Sequence, residues 1–313
     1  MKNLSLKSKM ALAVASLFVL FVTIASYLTL SFFERSFKDA IATQQRTLVL
    51  SLANNIDDKL RIAQNALMAI AATVPPDAFT NVGYAQRFLD GKAGLASIFD
   101  NGIFFINKKG ILIAESPYRR NRRGKDLSFR EWVQKTVASQ KPYISNPYFS
   151  THSPGQPAIV MTVPIFDAQG NMAGMMTGSL DLLGGNFLAD LSRTKIGKGG
   201  YLYISDTNRI LIVHPDKSRI MKPARPPGIN TFYDKAMMGF EGSGETVTSS
   251  GVPMITSSRR LRTTSWFLVA SFPTSEVYAP LDTAKHYFDG ASIVLTIMLL
   301  VATWLITKRL MSP

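Results

Sequence analysis

Two uncharged apolar segments lie at opposite ends of this 313-residue chain. The first, residues 10–33, has no charged residue in 24 positions, and the second, residues 290–307, has none in 18. A helix needs about 20 apolar residues to cross the roughly 30 Å hydrocarbon core of a bilayer. Helices of soluble proteins rarely stay apolar on every face over that length. The sequence therefore predicts two transmembrane helices enclosing one large region, a layout more typical of a receptor than of a metabolic enzyme.

Basic residues flank both segments on their outer sides, which orients them: Lys2, Lys7, Lys9, Lys308 and Arg309. By the positive-inside rule, the tails 1–9 and 308–313 are cytoplasmic. Residues 34–289 are then periplasmic or extracellular, and the chain is a multi-pass protein of a bacterial inner (plasma) membrane. The alternative is a cleaved signal peptide at the N-terminus. Its apolar region would be too long, and no A-x-A site follows it.

Cysteine usage and charge exclude several classes of function. The chain has no cysteine, which rules out disulfides, thiolate metal sites and cysteine nucleophiles. Its net charge of +14 would suit a nucleic-acid-binding protein. Most of that charge lies in the region predicted to face outward, so we expect attraction to an anionic solute or to the membrane surface, and no nucleic-acid partner.

A long helix is predicted to continue out of the first membrane segment over residues 34–75. Up to residue 74 the stretch contains neither proline nor glycine, and Pro75-Pro76 ends it. Apolar residues recur at spacings of three and four: Leu48, Leu52, Ile56, Leu60, Ala63, Leu67 and Ile70. About 40 helical residues form a rod of roughly 60 Å. We expect this rod to be both a spine for the external region and a contact in a homodimer.

A pattern of strands and one helix then appears twice, which predicts an α+β fold with two tandem antiparallel sheets. The first copy comprises strands at 101–107, 111–115, 158–166 and 172–182 and a helix at 129–138. The second copy comprises strands at 200–205, 210–214, 244–249, 253–261 and 266–272 and a helix at 231–240. A last external helix, 275–289, leads back to the membrane.

The order of these elements resembles the double Cache (dCache) sensor family, whose two lobes are PAS-like. The motifs that carry the resemblance are SFREW (128–132), PYISNPYFS (142–150), GQPAIVMTVPIFDAQGNMAGMMTGSLDL (155–182) and GKGGYLYISDTNRILIVHP (197–215). The resemblance implies a first, membrane-distal lobe at 76–190 and a second, membrane-proximal lobe at 191–274. Such regions are the sensory inputs of chemoreceptors, histidine kinases and diguanylate cyclases. Residues 308–313 are similar to the start of a HAMP linker, so we expect an output module beyond them.

The segment Ser128–Glu131 fits the capping box S-x-x-E, which predicts a helix start with Arg130 beside its free amides. A helix N-terminus and a guanidinium together suit a carboxylate, because arginine offers a planar fork of donors. Arg119, Arg120, Arg122, Arg123 and Lys125 form a basic loop just before it. That loop either funnels anions toward the site or is simply solvated.

The resemblance implies further residues of a ligand pocket in the first lobe. Members that sense amino acids hold the ligand carboxylate with an R-x-W-Y motif, of which Arg130 and Trp132 match the first and third positions. Val133 stands where tyrosine is expected, and Lys125 replaces an upstream tyrosine. Tyr148 matches a later pocket tyrosine, although Ser150 replaces a nearby aspartate.

Asp181 ends the strand MMTGSLD, where the family resemblance implies an acceptor for a ligand ammonium group. Arg130 and Asp181 would then bind opposite ends of an α-amino acid. The alternatives are that Arg130 pairs with a neighbouring acid, that Asp181 caps the following helix and that Trp132 belongs to the core. Because Lys125 and Val133 depart from the pattern, another small carboxylate remains as good a ligand as an amino acid.

No catalytic motif is present in the sequence, and the three histidines lack metal-ligand spacing. We therefore expect no cofactor, no metal and no enzymatic activity in this chain. The type of output module beyond residue 313 stays open among a histidine kinase, a diguanylate cyclase and a chemoreceptor. Two alternatives to a ligand sensor stay open. One is a membrane-anchored adaptor whose lobes bind another protein, and the other is an extracytoplasmic enzyme.

Overall fold

The computed structural model describes residues 6–248 and 251–311. The predicted cytoplasmic tail 1–9 and the linker start 308–313 therefore lie partly outside the described residues, as does the end of the predicted strand 244–249. Contacts divide the chain into two compact units, one of residues 46–273 and one of residues 1–45 with 274–313.

In its described residues, the unit of residues 1–45 and 274–313 is helical. Helix α1 (Leu6–Ala71) begins in it, and α7 (Thr274–Val277) and α8 (Ala279–Met311) complete it. Ser26 and Ser292 hydroxyls are 3.0 Å apart, and Lys285 Nζ lies 2.9 Å from Glu34 Oε2. Because residue numbers rise along α1 as they fall along α8, the two helices run antiparallel.

Both α1 and α8 are long and apolar enough to cross a membrane, with mean hydropathies of 2.2 and 2.0 in their most apolar windows. Large apolar side chains of these windows are exposed, among them Phe21 and Ile297. In a bilayer, lipid would cover such side chains, whereas in water they would form an apolar patch.

The part of α1 that belongs to the other unit presents one buried stripe. Its buried apolar members, all at most 4% exposed, are Val49, Ala53, Ile56, Leu60, Ala63, Leu67 and Ala71. Of the recurring apolar positions in the sequence, the central four lie in this stripe, whereas Leu48 is exposed and Leu52 and Ile70 are half-buried. At about 100° per residue, two successive steps of four residues from Ile56 rotate away from the core, whereas a step of three followed by a step of four stays on the same face and reaches Ala53 and Val49.

Six strands of the first lobe form an antiparallel sheet. They are β1 (Ile103–Asn107), β2 (Leu112–Ser116), β3 (Tyr143–Ile144), β4 (Tyr148–Phe149), β5 (Pro157–Phe166) and β6 (Met172–Asp181). The order is β2-β1-β6-β5-β3, with β4 also on β5. Helices α2 (Val82–Asp90), α3 (Ala93–Ile98), α4 (Glu131–Ser139) and α5 (Phe187–Asp190) belong to this lobe, with 3-10 turns at Pro76–Phe79 and Leu191–Arg193.

The second lobe repeats this topology. Its strands are β7 (Lys195–Ile196), β8 (Gly200–Ser205), β9 (Leu211–Val213), β10 (Gly242–Val247), β11 (Pro253–Arg260) and β12 (Phe267–Pro273), with α6 (Thr231–Met237) and a 3-10 turn at Lys217–Arg219. The order is β10-β11-β12-β8-β7, with β9 also on β8. In both lobes the first hairpin lies beside the last strand, which pairs with the strand before it. The predicted α+β fold with two PAS-like sheets is confirmed.

Side-chain alternation divides the first sheet into two apolar faces. On its back face, Phe105 of β1 lies against the rings of Phe79 and Phe88, with centroids 5.5 and 5.7 Å away. Gly178 of β6 is also on this side, and a Cβ there would come within 2.6 Å of the Phe99 ring. The front face, described below, is the one that helix α4 covers.

Asp57 ties α1 to the turn between β11 and β12. The Arg262 amide donates to both carboxylate oxygens at 3.0 Å, and the Thr263 amide and hydroxyl donate to Oδ1 at 2.9 and 2.7 Å. Asp57 is 8% exposed, so these donors replace water for a buried charge.

We predict that Asp57→Ala destabilises the folded protein by about 3 kcal/mol, because hydrogen bonds to a charged group are lost and the partly buried amides of Arg262 and Thr263 are left unpaired. Chemical unfolding followed by tryptophan fluorescence measures this, since Trp266 lies in the affected turn. The matched control is Asp58→Ala, which breaks only an exposed pair with Arg61 and should cost less than about 0.5 kcal/mol. Equal effects of the two substitutions would contradict this account.

Candidate functional site

The front face of the first sheet and the chain around α4 enclose a small pocket of about 20 Å³. Its lining is part aromatic and part polar: Phe104, Ile106, Arg122, Leu127, Arg130, Trp132, Tyr148, Ser150, Thr151, His152 and Val160. Alternation along β1 directs Phe104 and Ile106 to this face while Phe105 faces the opposite side. Trp132 and Val133 of α4 pack on them in one buried cluster. The pocket therefore lies at the edge of the apolar layer between sheet and helix.

The predicted capping box at Ser128–Glu131 is wrong. Helix α4 begins at Glu131, and its N-cap is Arg130, whose side chain makes no capping bond. The Ser128 amide instead donates to Asp126 Oδ1 at 2.8 Å, and Glu131 accepts from the Tyr143 hydroxyl at 3.2 Å. A local turn closed by Asp126 competes with the helix for these residues, so the helix starts two residues later than a Ser128 cap requires.

Arg130 is held beside the pocket by stacking and by one hydrogen bond. Its guanidinium lies 5.0 Å from the ring centroids of both Phe129 and Tyr148. Its Nη2 donates to the Phe149 carbonyl at 3.1 Å. That carbonyl carries no net charge, so the cation is oriented without being neutralised. The remaining guanidinium donors can serve an anion, as the sequence predicted for this residue.

Tyr148 links Arg130 to the floor of the pocket. Its ring is 6.1 Å from that of Trp132, and its hydroxyl is 3.4 Å from Ser179 Oγ on β6. Burial raises the pKa of Tyr148, while the Ser179 bond and the two nearby arginines partly oppose that shift. The phenol therefore stays protonated at neutral pH and can donate a hydrogen bond.

A buried charged cluster, which sequence reasoning missed, forms one wall of the pocket. Arg122 Nη1 donates to Glu115 Oε2 and lies 2.8 Å from His152 Nδ1, and Nη2 donates to Thr151 Oγ1 at 3.1 Å. Arg122, Glu115 and His152 are only 7%, 2% and 4% exposed. Burial lowers the pKa of Arg122 and the Glu115 carboxylate counteracts it, so the guanidinium remains charged.

The basic loop thus divides into two kinds of residue. Arg122 faces the interior, whereas Arg119, Arg120, Arg123 and Lys125 are exposed. The spacing of charges along the sequence does not distinguish Arg122 from the exposed residues of the loop. The partners of Arg122 come from β2 and from the segment after β4, which lie elsewhere in the sequence. A weak signal existed in Glu115, an acid in an otherwise apolar strand, since a buried carboxylate requires a cation.

Four buried side-chain polar atoms lack a hydrogen-bond partner in the part of the chain that the structure describes, and all belong to the first lobe: Asn101 Oδ1, Arg122 Nε, Trp132 Nε1 and Thr177 Oγ1. Arg122 and Trp132 line the pocket. The Asn101 amide donates to Ser150, another lining residue, and to Ser179. An unpaired buried polar group costs about 1–3 kcal/mol, so this grouping is typical of a site that a polar ligand completes.

The structure brings together three of the six residues that the sequence singled out, namely Arg130, Trp132 and Tyr148. Lys125 is exposed and lies outside the lining, and Val133 is buried in the core beside Trp132. Asp181 also lies outside the lining, but it is two residues along β6 from Ser179 and therefore on the same face. Its Oδ1 accepts from the Leu183 amide at 2.8 Å, and burial together with Asp100 raises its pKa.

Comparison with known families identifies the architecture. The family model of the Cache domain, in its dCache form, matches residues 33–281. The chain belongs to this family. The match begins at the end of the first apolar segment and includes both lobes, so a Cache sensor region lies between two helices able to span a membrane. That arrangement is the one found in receptors of the inner membrane.

Solved structures of similar fold are ligand-binding regions of receptors. The ligand-binding domain of the Pseudomonas aeruginosa amino-acid chemoreceptor PctB, solved with L-Arg, aligns with a TM-score of 0.62 at 17% identity, covering 82% of this chain and 98% of that one. The Pseudomonas fluorescens chemoreceptor CtaA, solved with L-isoleucine, gives 0.61 at 19%, covering 78% and 97%. The extracellular domain of the putative histidine kinase mmHK1S-Z2 gives 0.60 at 15%, covering 76% and 99%. At such identities these likenesses establish the shared fold, and with the family match they make this chain a Cache sensor module.

We predict that Glu115→Ala destabilises the first lobe by about 3–5 kcal/mol, because it leaves the buried Arg122 charge without its partner. Thermal or chemical unfolding measures the loss. The control is Asp190→Ala, which breaks an exposed pair with Arg193 and should cost under about 1 kcal/mol. If Glu115→Ala costs no more than this control, the cluster does not support the pocket wall.

Proposed function

We propose that this Cache protein is the extracytoplasmic sensor of a transmembrane signalling receptor, and that it binds a small carboxylate or amino-acid-like solute in its first lobe. The observation that carries the proposal is the Arg130 guanidinium, stacked on Tyr148 and not neutralised by an acid, at a pocket whose lining includes two unpaired buried donors, Arg122 Nε and Trp132 Nε1. Together these groups offer several donors and one net positive charge, which is the chemistry that a carboxylate requires.

An ammonium group at the other end of the ligand would find acids at the end of β6. Asp100 Oδ1 accepts from the Asp181 amide at 2.9 Å, which brings two carboxyl groups close together. Burial raises the pKa of Asp181, and the nearby Asp100 carboxylate adds to that rise. A cation placed between the pocket and Asp181 would relieve the repulsion between the two carboxylates. This favours an amino-acid-like ligand over a simple carboxylate.

Ligand binding is proposed to change the shape of the first lobe. A pocket of about 20 Å³ holds roughly one water molecule and is too small for an amino acid. The ligand must therefore bind a wider form and shift the population toward it. That shift is the event that a signalling receptor transmits.

We predict that Arg130→Ala weakens carboxylate binding by about 30- to 1,000-fold, equivalent to about 2–4 kcal/mol for a desolvated charge pair. Calorimetry with amino acids and their deaminated analogues measures it. Arg120→Ala, which removes an exposed cation of the preceding loop, is the control and should leave affinity within about twofold. Asp181→Asn should weaken only the amine-bearing ligands.

Unchanged affinity in a folded Arg130→Ala protein would show that the carboxylate binds elsewhere. If no solute binds the unsubstituted protein at all, the alternative of a protein-binding adaptor is favoured. Either result would contradict the proposed pocket.

We further propose that residues 34–289 face the periplasm and that the receptor is a homodimer with α1 near the two-fold axis. The buried stripe of α1 is used within its own chain, so the dimer contact must use other apolar residues. Ile62 is 63% exposed, and Leu48 is also exposed. Two helices that pair these positions would remove apolar surface from water.

The absence of cysteine from the chain makes a single introduced thiol a clean probe of both proposals. We expect Ile62→Cys to react with a membrane-impermeant maleimide in intact cells and to form a disulfide-linked dimer on oxidation. Lys308→Cys should be labelled only after the inner membrane is permeabilised. Labelling of Lys308→Cys from outside contradicts the topology, and failure of thiols at both Leu48 and Ile62 to cross-link contradicts this dimer.

Signal transfer is proposed to use α8. The predicted connecting helix 275–289 is divided in the structure, because α7 (Thr274–Val277) ends before α8 begins at Ala279. Helix α8 then runs without interruption from Ala279 to Met311, through most of that predicted helix and the second span 290–307. Strand β12, which precedes α7, lies in the middle of the second sheet. Helix shifts of about 1–2 Å are typical of such switches.

We predict that inserting one to four residues after Phe288 changes output according to the length of the insertion, because each residue rotates the following helix by about 100°. The measurement uses a chimera with a cytoplasmic kinase after residue 313. Ligand binding in the same variants is the control and should be unchanged. Equal output from every insertion would exclude transmission through this helix.

A further inference from the structure

The second lobe contains a pocket of its own, larger than that of the first lobe and made of different side chains. It measures about 50 Å³, which is room for roughly four water-sized groups. Its lining includes three tyrosines, two arginines and a histidine: Tyr201, Tyr203, Tyr233, Arg219, Arg225 and His214. No lining residue that the structure describes is acidic.

The floor of this pocket is a row of hydroxyl groups across four strands. Tyr201 of β8 lies opposite Ser271 of β12, and Ser271 lies opposite Thr256 of β11. Thr256 lies opposite Gly244 of β10, and Thr246 is two residues further along β10 on the same face. The Thr256 hydroxyl is 2.8 Å from that of Thr246 and 3.1 Å from that of Ser271. In the first lobe the corresponding face carries Phe104, Ile106 and Val160 beside the hydroxyls of Thr162, Thr177 and Ser179. Hydroxyl groups on this face of either lobe can donate to or accept from a polar ligand.

Two arginines lie at the pocket, and they differ in their hydrogen-bond partners. Arg219 donates to the Ala224 carbonyl at 3.1 Å and lies 3.2 Å from His214 Nε2. Arg225, which is half-buried, has no side-chain hydrogen bond or ion pair within the described ranges. The nearby carboxylates of Asp234 and Asp206 already have other partners. Asp234 pairs with Arg209 at 2.6 Å, and Asp206 accepts backbone amides of its own turn.

The neutral side chains present donors to the same space. Burial raises the pKa of Tyr203, so its phenol is protonated at neutral pH, and the hydroxyl has no partner in the part of the chain described. Burial and the adjacent Arg219 lower the pKa of His214, so the imidazole is neutral there. Positive charge at the pocket thus comes from the two arginines.

We infer that the second lobe holds an independent binding site for a small aliphatic carboxylate of two to four carbons, bound by Arg225 and Arg219 and by the hydroxyl row. The absence of an acid among the described lining residues disfavours an amino acid, whose ammonium group would lie beside two guanidinium groups. Leu211, Ala224 and the tyrosine rings supply apolar surface for a short alkyl chain. Phosphate or sulfate would leave that surface facing oxygen atoms, which favours a carboxylate over an inorganic anion.

This site is separable from the one proposed in the first lobe. The experiment uses the full 313-residue chain with the substitution Arg130→Ala, reconstituted in nanodiscs. The substitution removes carboxylate binding at the first pocket. Propionate, glycine and inorganic phosphate are titrated by calorimetry. We expect propionate to bind, and glycine and phosphate to bind at least about tenfold more weakly.

On that background, Arg225→Gln should weaken propionate binding at least about tenfold, since it removes a partly desolvated charge. The matched control is Lys222→Gln, which removes one exposed positive charge from the same loop and should change affinity less than about twofold. Tyr203→Phe removes a single hydroxyl with little risk to folding and should weaken binding about three- to tenfold.

Three results would overturn the inference: no propionate binding on the Arg130→Ala background, equal effects of Arg225→Gln and Lys222→Gln, or phosphate competing as well as propionate. None of them bears on the first pocket. Loss of amino-acid binding there would likewise leave propionate binding in the second lobe unchanged.

Discussion

Alternation of side chains along the central strands is the constraint on which both lobes depend. In β1 the residues Ile103 and Phe105 face one side of the sheet while Phe104 and Ile106 face the other. One face closes the hydrophobic core, and the opposite face is left for α4 and a pocket. The second lobe has the same strand order, but Tyr201, Tyr203 and His214 line its pocket, where Phe104, Ile106 and Trp132 line the first. A change of residue type on one face therefore changes the chemistry of a lobe without changing its fold.

An acidic partner distinguishes the arginine that supports the structure from those proposed to bind a ligand. Arg122 is deeply buried, and Glu115 neutralises it. Arg130 is oriented by two aromatic rings and one carbonyl oxygen, none of which cancels its charge. Arg225 lies at a pocket whose described lining contains no acid. A buried charge without a counter-ion is costly. Arg130 and Arg225 therefore stay partly exposed and bind most favourably to an anion.

Much of the architecture was predictable from the sequence, because it depends on local periodicity. The three- and four-residue spacing of apolar side chains gave the long helix, and alternation gave β1, β2, β5 and β6 close to their observed bounds. The helix and five strands of the second lobe were predicted equally well, whereas the short strand β7 was not predicted. The capping box failed because Asp126, two residues before Ser128, closes a competing turn. A capping box and a turn closed by an aspartate have similar energies, and the S-x-x-E pattern alone does not decide which of them forms.

The sequence by itself determined the two apolar spans, the repeated order of strands and the resemblance to Cache sensors, with Arg130, Trp132 and Tyr148 among the pocket residues. Only the tertiary structure decided the partners of buried polar groups. Glu115, Arg122 and His152 meet across 37 residues of sequence, and Asp57 meets Thr263 across 206. The physical reason is that a desolvated charge or hydroxyl is stabilised by whichever donor the fold brings within about 3 Å, and residue spacing along the chain does not determine that distance.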